Sequence, residues 1–310
     1  MNTLLRTTNW FRPEGRNRTT RILLLWGLVT VLLVLLYGVR GNTEEVEHVG
    51  RSAVRWTSLE WNTRGGEYSH GWLVPLVSLV VVWWRRKELV AGPIKVCGYG
   101  LWVVGLALFL YWFGVKAQQT RLVLISLPLL LWGMPLYVYG WTIGRWLMFP
   151  CAYLFFSVPL VFIDTVAFPL RLLASGVTEV FLNGLGIPVS RTGTSITSLT
   201  GERFNIDVAD PCSGLHSLMA MAALGAAYAY FYHRRPLAKW LLFIGSLPIA
   251  VAGNVIRVTS IAVVATFFGQ KYAMSFYHDY SGYVMFGAAV MLMMGFGSLI
   301  RRHLEHGRDQ

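Results

Sequence analysis

The sequence predicts an all-α polytopic membrane protein of about eight transmembrane helices with a small extracytoplasmic strand or loop element, and three observations predict it. Of 310 residues, 55% are hydrophobic and only 14% charged, with a mean hydropathy of +0.51, far from the balance of an ordinary soluble domain. Apolar runs long enough to cross the ~30 Å hydrocarbon core, which takes about 20 helical residues, recur from Ile22 onward. Basic clusters punctuate those runs so that all of them fall on one side of the membrane. The whole chain, 1–310, reads as one integral membrane domain.

The first run, "ILLLWGLVTVLLVLLYGV" at 22–39, follows Arg6, Arg12, Arg16, Arg18 and Arg21 but precedes no small-residue cleavage site, so it reads as a retained helix. The remaining spans are expected near 71–84, 96–115, 121–139, 142–163, 214–232, 238–267 and 281–300. The second is short as drawn and extends from Ser69 to about Leu89, its basic end snorkelling. "RRK" at 85–87, Arg145, "HRRP" at 233–236, Lys239 and "RRH" at 301–303 join the N-terminal arginines on the cytoplasmic side. That puts both termini in the cytoplasm.

Segment 164–186 carries Asp164, Pro169, Arg171 and Glu179, and a crossing there would put "HRRP" outside. It is therefore expected to form an interfacial or re-entrant helix. Outside the bilayer lie the loop 40–70, the turn 116–120, the stretch 187–213 and the loop 268–280. "VSRTGTSITSLTGERFNIDVAD", rich in Thr, Ser and Gly and alternating in places, is expected to form a small strand pair on the membrane face.

The formal charge of +12 could suggest nucleic acid, but basic cytoplasmic loops account for it and no nucleic-acid partner is implied. Three cysteines, Cys97, Cys151 and Cys212, are too few and too scattered for a disulfide framework, and nothing has zinc-site spacing. No cofactor and no metal are expected. Cys97 and Cys151 lie in or beside apolar helices, where a thiol behaves as a small hydrophobe.

Cys212 is different. In "DVADPCSGLHSL", Asp210 is a good N-cap and Pro211 suits the first helical position, which puts Cys212 at the second, against the positive end of a helix dipole. There a thiolate is stabilised. Ser213 follows it, and Gly214 lets a substrate carbonyl approach the free amides of the first turn, a ready oxyanion hole.

Two further elements converge on the same face. Counting 19 residues from Ala238 at about 1.5 Å each places Arg257 of "GNVIRVTS" some ~28 Å across, level with Cys212, with Asn254 one turn earlier. An arginine that snorkels or pairs with Asp207 or Asp210 is the bland alternative. His278 of "SFYHDYSGYVMF" stands in the last outer loop, where it could take the thiol proton and return one to a leaving amine, oriented by Asp279 or Asp207. Of the rival histidines, His216 lies four residues after Cys212 on the same helix, leaving little room for substrate, and His48 and His70 lie in the first outer loop.

"DPCSGLHSL", "GNVIRVTSIAVVATFFG" and "FYHDYSGYVMF" resemble the three signature regions of the exosortase/archaeosortase family, polytopic membrane cysteine transpeptidases. "YSHGWLVPLVSLVVVWWRRKEL" at 68–89, containing His70, resembles that family's second-span motif, so the likeness spans about 68–299. The resemblance implies Cys212 as nucleophile, Arg257 as stabilising cation and His278 as acid and base. It implies as substrate an exported protein with a C-terminal sorting signal, of the PEP-CTERM type: a short motif, one apolar helix and a basic cluster. The helix would dock in the bilayer among membrane lipid, and a thioester would pass to an acceptor, such as a glycan or lipid. His216 stands where bacterial relatives often carry arginine, and His278 points to the bacterial branch.

Two other readings use the same residues. A polytopic transporter or lipid-binding protein could line a path for an anionic ligand with Arg257 and His278. An intramembrane serine protease could use Ser213 or Ser281, although neither serine has a better-placed base than Cys212.

Overall fold

A computed structural model describes residues 16–44, 50–62, 68–91, 95–159, 162–199, 204–207 and 215–305. The chain begins with helix α1 (Arg16–Leu33), which runs on as a π-helical stretch over Val34–Val39. A short amphipathic helix, α2 (Ala53–Asn62), occupies the segment expected to be loop. A 3-10 turn at Ser69–Trp72 leads into α3 (Leu73–Trp84), followed by α4 (Arg86–Ala91), α5 (Gly98–Lys116) and α6 (Thr120–Tyr139). Next come α7 (Trp141–Tyr153) and α8 (Phe162–Gly184). Three short strands follow, β1 (Val189–Thr192), β2 (Ser195–Ser198) and β3 (Asn205–Asp207), and then α9 (Leu215–Tyr232), α10 (Pro236–Phe268), the single turn α11 (Gln270–Tyr272) and α12 (His278–Leu304).

The expected class is therefore the observed one. Among the described residues, α5, α6, α10 and α12 are long and apolar enough to cross a membrane, and Trp26–Val39, Ser69–Trp84 and Leu218–Tyr232 are shorter apolar helices. The protein is an all-α integral membrane protein carrying one small sheet.

The span drawn at 142–163 is broken. Val158 adopts an extended conformation, φ −87° and ψ 122°, immediately before Pro159, whose ring disfavours the α region in the residue ahead of it. Segment 164–186 falls almost wholly in one continuous helix, α8, whose second half makes polar contacts on one side and exposes Leu173, Val180 and Phe181 on another. Arg191 donates from its amide and its Nε to Glu179 at 3.2 and 3.1 Å, and Ser175 Oγ donates to the Gly193 carbonyl at 3.2 Å.

The expected strand pair is a three-stranded antiparallel sheet in the order β1-β2-β3, with Arg191 opposite Ile196 and Ile196 opposite Ile206. Its apolar side chains alternate onto one face. Val189, Ile196, Phe204 and Ile206 pack with Leu182 of α8 and with Val258, Ile261, Ala262 and Ala265 of α10. The 33 residues of α10 measure about 50 Å, more than the hydrocarbon core needs, and the sheet clothes its last turns.

At the other end of the bundle the basic clusters gather, as the sequence expects. Arg85 closes α3 against Tyr230 near the end of α9, and Arg301 of α12 lies 5.0 Å from the Tyr232 ring. Glu305 accepts the backbone N–H groups of Arg234 and Arg235 at 2.9 and 3.2 Å, and lies 3.4 Å from the buried His233 ring. One carboxylate thus ties the end of α9 and the start of α10 to the end of α12.

Candidate active site

Helices α9, α10 and α12 pack against one another through small and flexible side chains. Met221 of α9 lies among Ala250 of α10 and Phe286 and Ala289 of α12. Above this contact, toward the sheet, the three helices enclose a cavity of about 30 Å³ lined by Met221, Asn254, Arg257, Gly282, Met285 and Phe286 with neighbouring small residues. Its polar end is formed by α10: Asn254 and Arg257, three residues apart, share one helix face.

Arg257 fits because α12 presents no side chain opposite it. A Cβ on Gly282 would lie 3.2 Å from Nη2 and 3.3 Å from Cζ of the guanidinium, tighter than a side chain tolerates without displacement. Sequence reasoning passed over Gly282, although a glycine four residues beyond His278 is the available signal for a close approach. Asn254 is 8% exposed, and its Oδ1 has no hydrogen-bond partner among the described residues. An unsatisfied amide oxygen at a cavity wall is where a water or a substrate group belongs, because leaving it bare costs about 1–3 kcal/mol.

His278 and Asp279 open α12, following a π-helical stretch at Ala273–Tyr277. The backbone places His278 one turn before Gly282 on the same helix. Ser281, adjoining, is buried at 5% exposure. His216 lies in the first turn of α9.

Asp210, Cys212, Ser213 and Gly214 lie outside the described residues, as does the helix N-terminus expected around them. The flanking elements are described. β3 ends at Asp207 beside the last turns of α10, and α9 starts at Leu215 and reaches the Arg257 cavity through Met221.

His70 sits in a different neighbourhood. Its 3-10 turn is covered by α2, where the Trp61 indole lies directly over Gly71 and donates from Nε1 to the Ser157 carbonyl at 2.9 Å. The Tyr68 and His70 rings are 6.0 Å apart. His70 does not line the Arg257 cavity, although α3 reaches α9 one turn further on, through Val74 and Ala223.

Of the other thiols, Cys151 is buried in α7 and Cys97 precedes α5, where its amide donates to the Tyr137 carbonyl at 3.2 Å. Neither lines the cavity. Among the described residues no three His, Cys, Asp or Glu side chains gather as a metal site would require.

These features define a class: a helical integral membrane protein with an arginine and an amide facing a cavity at one end of three packed helices, beside a small sheet. The transmembrane exosortase family model matches residues 61–295, and the chain belongs to that family. No curated protein and no solved structure matches it.

Proposed function

We propose that the protein is a membrane cysteine peptidase and transpeptidase that cleaves the C-terminal sorting signal of exported proteins and transfers them to an acceptor. The observation that carries this reading is the seat of Arg257: α10 holds it against Gly282, one turn from His278, in a cavity that α9 also lines. Membership in the exosortase family supports the same chemistry.

In this reading the Cys212 thiolate attacks the scissile carbonyl, and the amides near Gly214 and the Arg257 guanidinium stabilise the oxyanion. Collapse breaks the C–N bond, and His278, holding the proton it took from the thiol, gives it to the departing amine. The acyl group remains as a thioester on Cys212. An acceptor nucleophile then attacks that thioester, loses its proton to His278 and regenerates the thiol. Asp279 and His216 tune the imidazole and sulfur, and Asn254 positions Arg257 or a water beside it.

A substrate helix lying in lipid keeps its backbone hydrogen bonds within itself and can be cut only where it leaves the membrane. In this reading the end that carries the basic clusters faces the cytoplasm, as do both termini. The reaction then takes place at the extracytoplasmic face, where the sheet clothes α10.

The test is co-expression with exported proteins that end in an apolar helix and a basic cluster, with mass measurement of their mature C-termini. The reading requires a shortened end with the native chain and the full-length end with Cys212→Ala. Unchanged shortening in that variant would remove the proposal.

A further inference from the structure

The bundle end opposite Arg257 carries a second arrangement of charges, built from four separate elements. Arg85, at the end of α3, lies 4.7 Å from the Trp84 ring, 4.7 Å from the Trp146 ring of α7 and 5.8 Å from the Tyr230 ring of α9. Its Nε donates to Tyr230 Oη at 3.2 Å, and its Nη1 pairs with Glu88 at 3.0 Å. Lys239, in the first turn of α10, holds its Nζ 4.6 Å from the same Tyr230 ring. Phe149 stacks on Tyr230 with ring centroids 3.9 Å apart and fixes the platform both cations share. Arg145 stands over Trp146 at 5.1 Å.

Glu88 pairs with Arg85, and Glu305 attracts Lys239 from beyond contact, but among the described residues no carboxylate lies within ion-pair distance of Lys239 or Arg145. Lys239 thus shares the Tyr230 ring with Arg85, and Arg145 shares the Trp146 ring with it, at a depth suited to lipid headgroups. Exposed Trp83, Trp84 and Trp240 mark that depth, since indoles favour the boundary between hydrocarbon and water. Like charges held together at an interface call for an anion, and a phosphodiester offers oxygens to a lysine ammonium and to a guanidinium fork at once.

We infer that Lys239 and Arg145, beside the ring-held Arg85, form a binding site for the phosphodiester headgroup of an anionic membrane phospholipid. A lipid fits better than free phosphate, because the exposed tryptophans around the cations give its acyl chains an apolar surface. The site does not depend on the proposed catalytic role of Arg257 and lies at the other end of α10.

Native mass spectrometry of the full chain, released from detergent with added phosphatidylglycerol or phosphatidylcholine, tests the inference. Phosphatidylglycerol should leave retained adducts that phosphatidylcholine does not, and 10 mM inorganic phosphate should not displace them. Each of Lys239→Gln and Arg145→Gln should weaken phosphatidylglycerol binding about fivefold, the contribution of one cation near an anionic headgroup. Lys239→Arg should restore it, which separates lost charge from lost fold. Equal retention of both lipids, displacement by inorganic phosphate, or full retention in the double glutamine variant would each overturn the assignment.

Discussion

Arg257 and Gly282 meet across the α10–α12 contact, where a Cβ on Gly282 would stand 3.2 Å from Nη2 of the guanidinium. The arginine keeps its place because α12 yields the space. Gly282→Val should push the guanidinium aside and lower substrate processing about 100-fold, the scale of loss when a reacting group moves by an ångström. Gly287→Ala, at a position with nothing within 4 Å, should leave processing and expression unchanged. Cleavage rates of a co-expressed substrate measure both.

Asn254 separates function from stability. Its buried Oδ1 lacks a partner among the described residues, so Asn254→Leu removes an unsatisfied group of similar size. Thermal unfolding in detergent should stay level or rise by about 1 kcal/mol. Processing should fall at least tenfold if the amide positions Arg257 or a water. A parallel loss of both would mean that Asn254 serves packing alone.

Much of this was legible in the residues. Composition and charge placement gave the helical membrane class, and the alternation of "VSRTGTSITS" gave strands, though it could not show a third strand or what they pack on. Arg257 stood out because a guanidinium in an apolar run has few structural excuses. What escaped was tertiary: Gly282 matters only because α12 faces α10, and α2 was hidden because ten residues of mixed polarity look like loop until Trp56 and Trp61 find partners. The end of α7 was mislaid for a local reason, the extended residue that Pro159 demands.

The 3-10 turn at Gly71 should be intolerant of any side chain. A Cβ there would fall on the Trp61 indole, which is anchored by its bond to Ser157. Gly71→Ala should destabilise by about 1–3 kcal/mol, as overpacking generally does. In the Trp61→Leu background the same change should cost much less, a non-additivity that a double-mutant cycle in thermal unfolding reads directly.

At the basic end, stability should depend on Glu305. Partial burial works to raise its carboxyl pKa, but the Arg235 and Arg234 amides and His233 hold it below the usual carboxylate value. A lowered folded pKa means that the stabilisation is complete above the ordinary value near 4.5 and is lost as pH falls through the folded one. Unfolding followed from pH 7 downward should therefore show a decline below about pH 4.5. Glu305→Gln should be less stable by about 1–2 kcal/mol at pH 7 and should flatten that decline.

The most direct measurement is the search for an acyl group on sulfur. Acid-quenched peptide mapping of the native chain, incubated with a cleavable exported substrate, should find the substrate's new C-terminus on Cys212 as a hydroxylamine-sensitive thioester, and His278→Gln should lower its yield. Cleavage that continues in Cys212→Ala, or an acyl group found on any other side chain, would contradict the proposed chemistry outright.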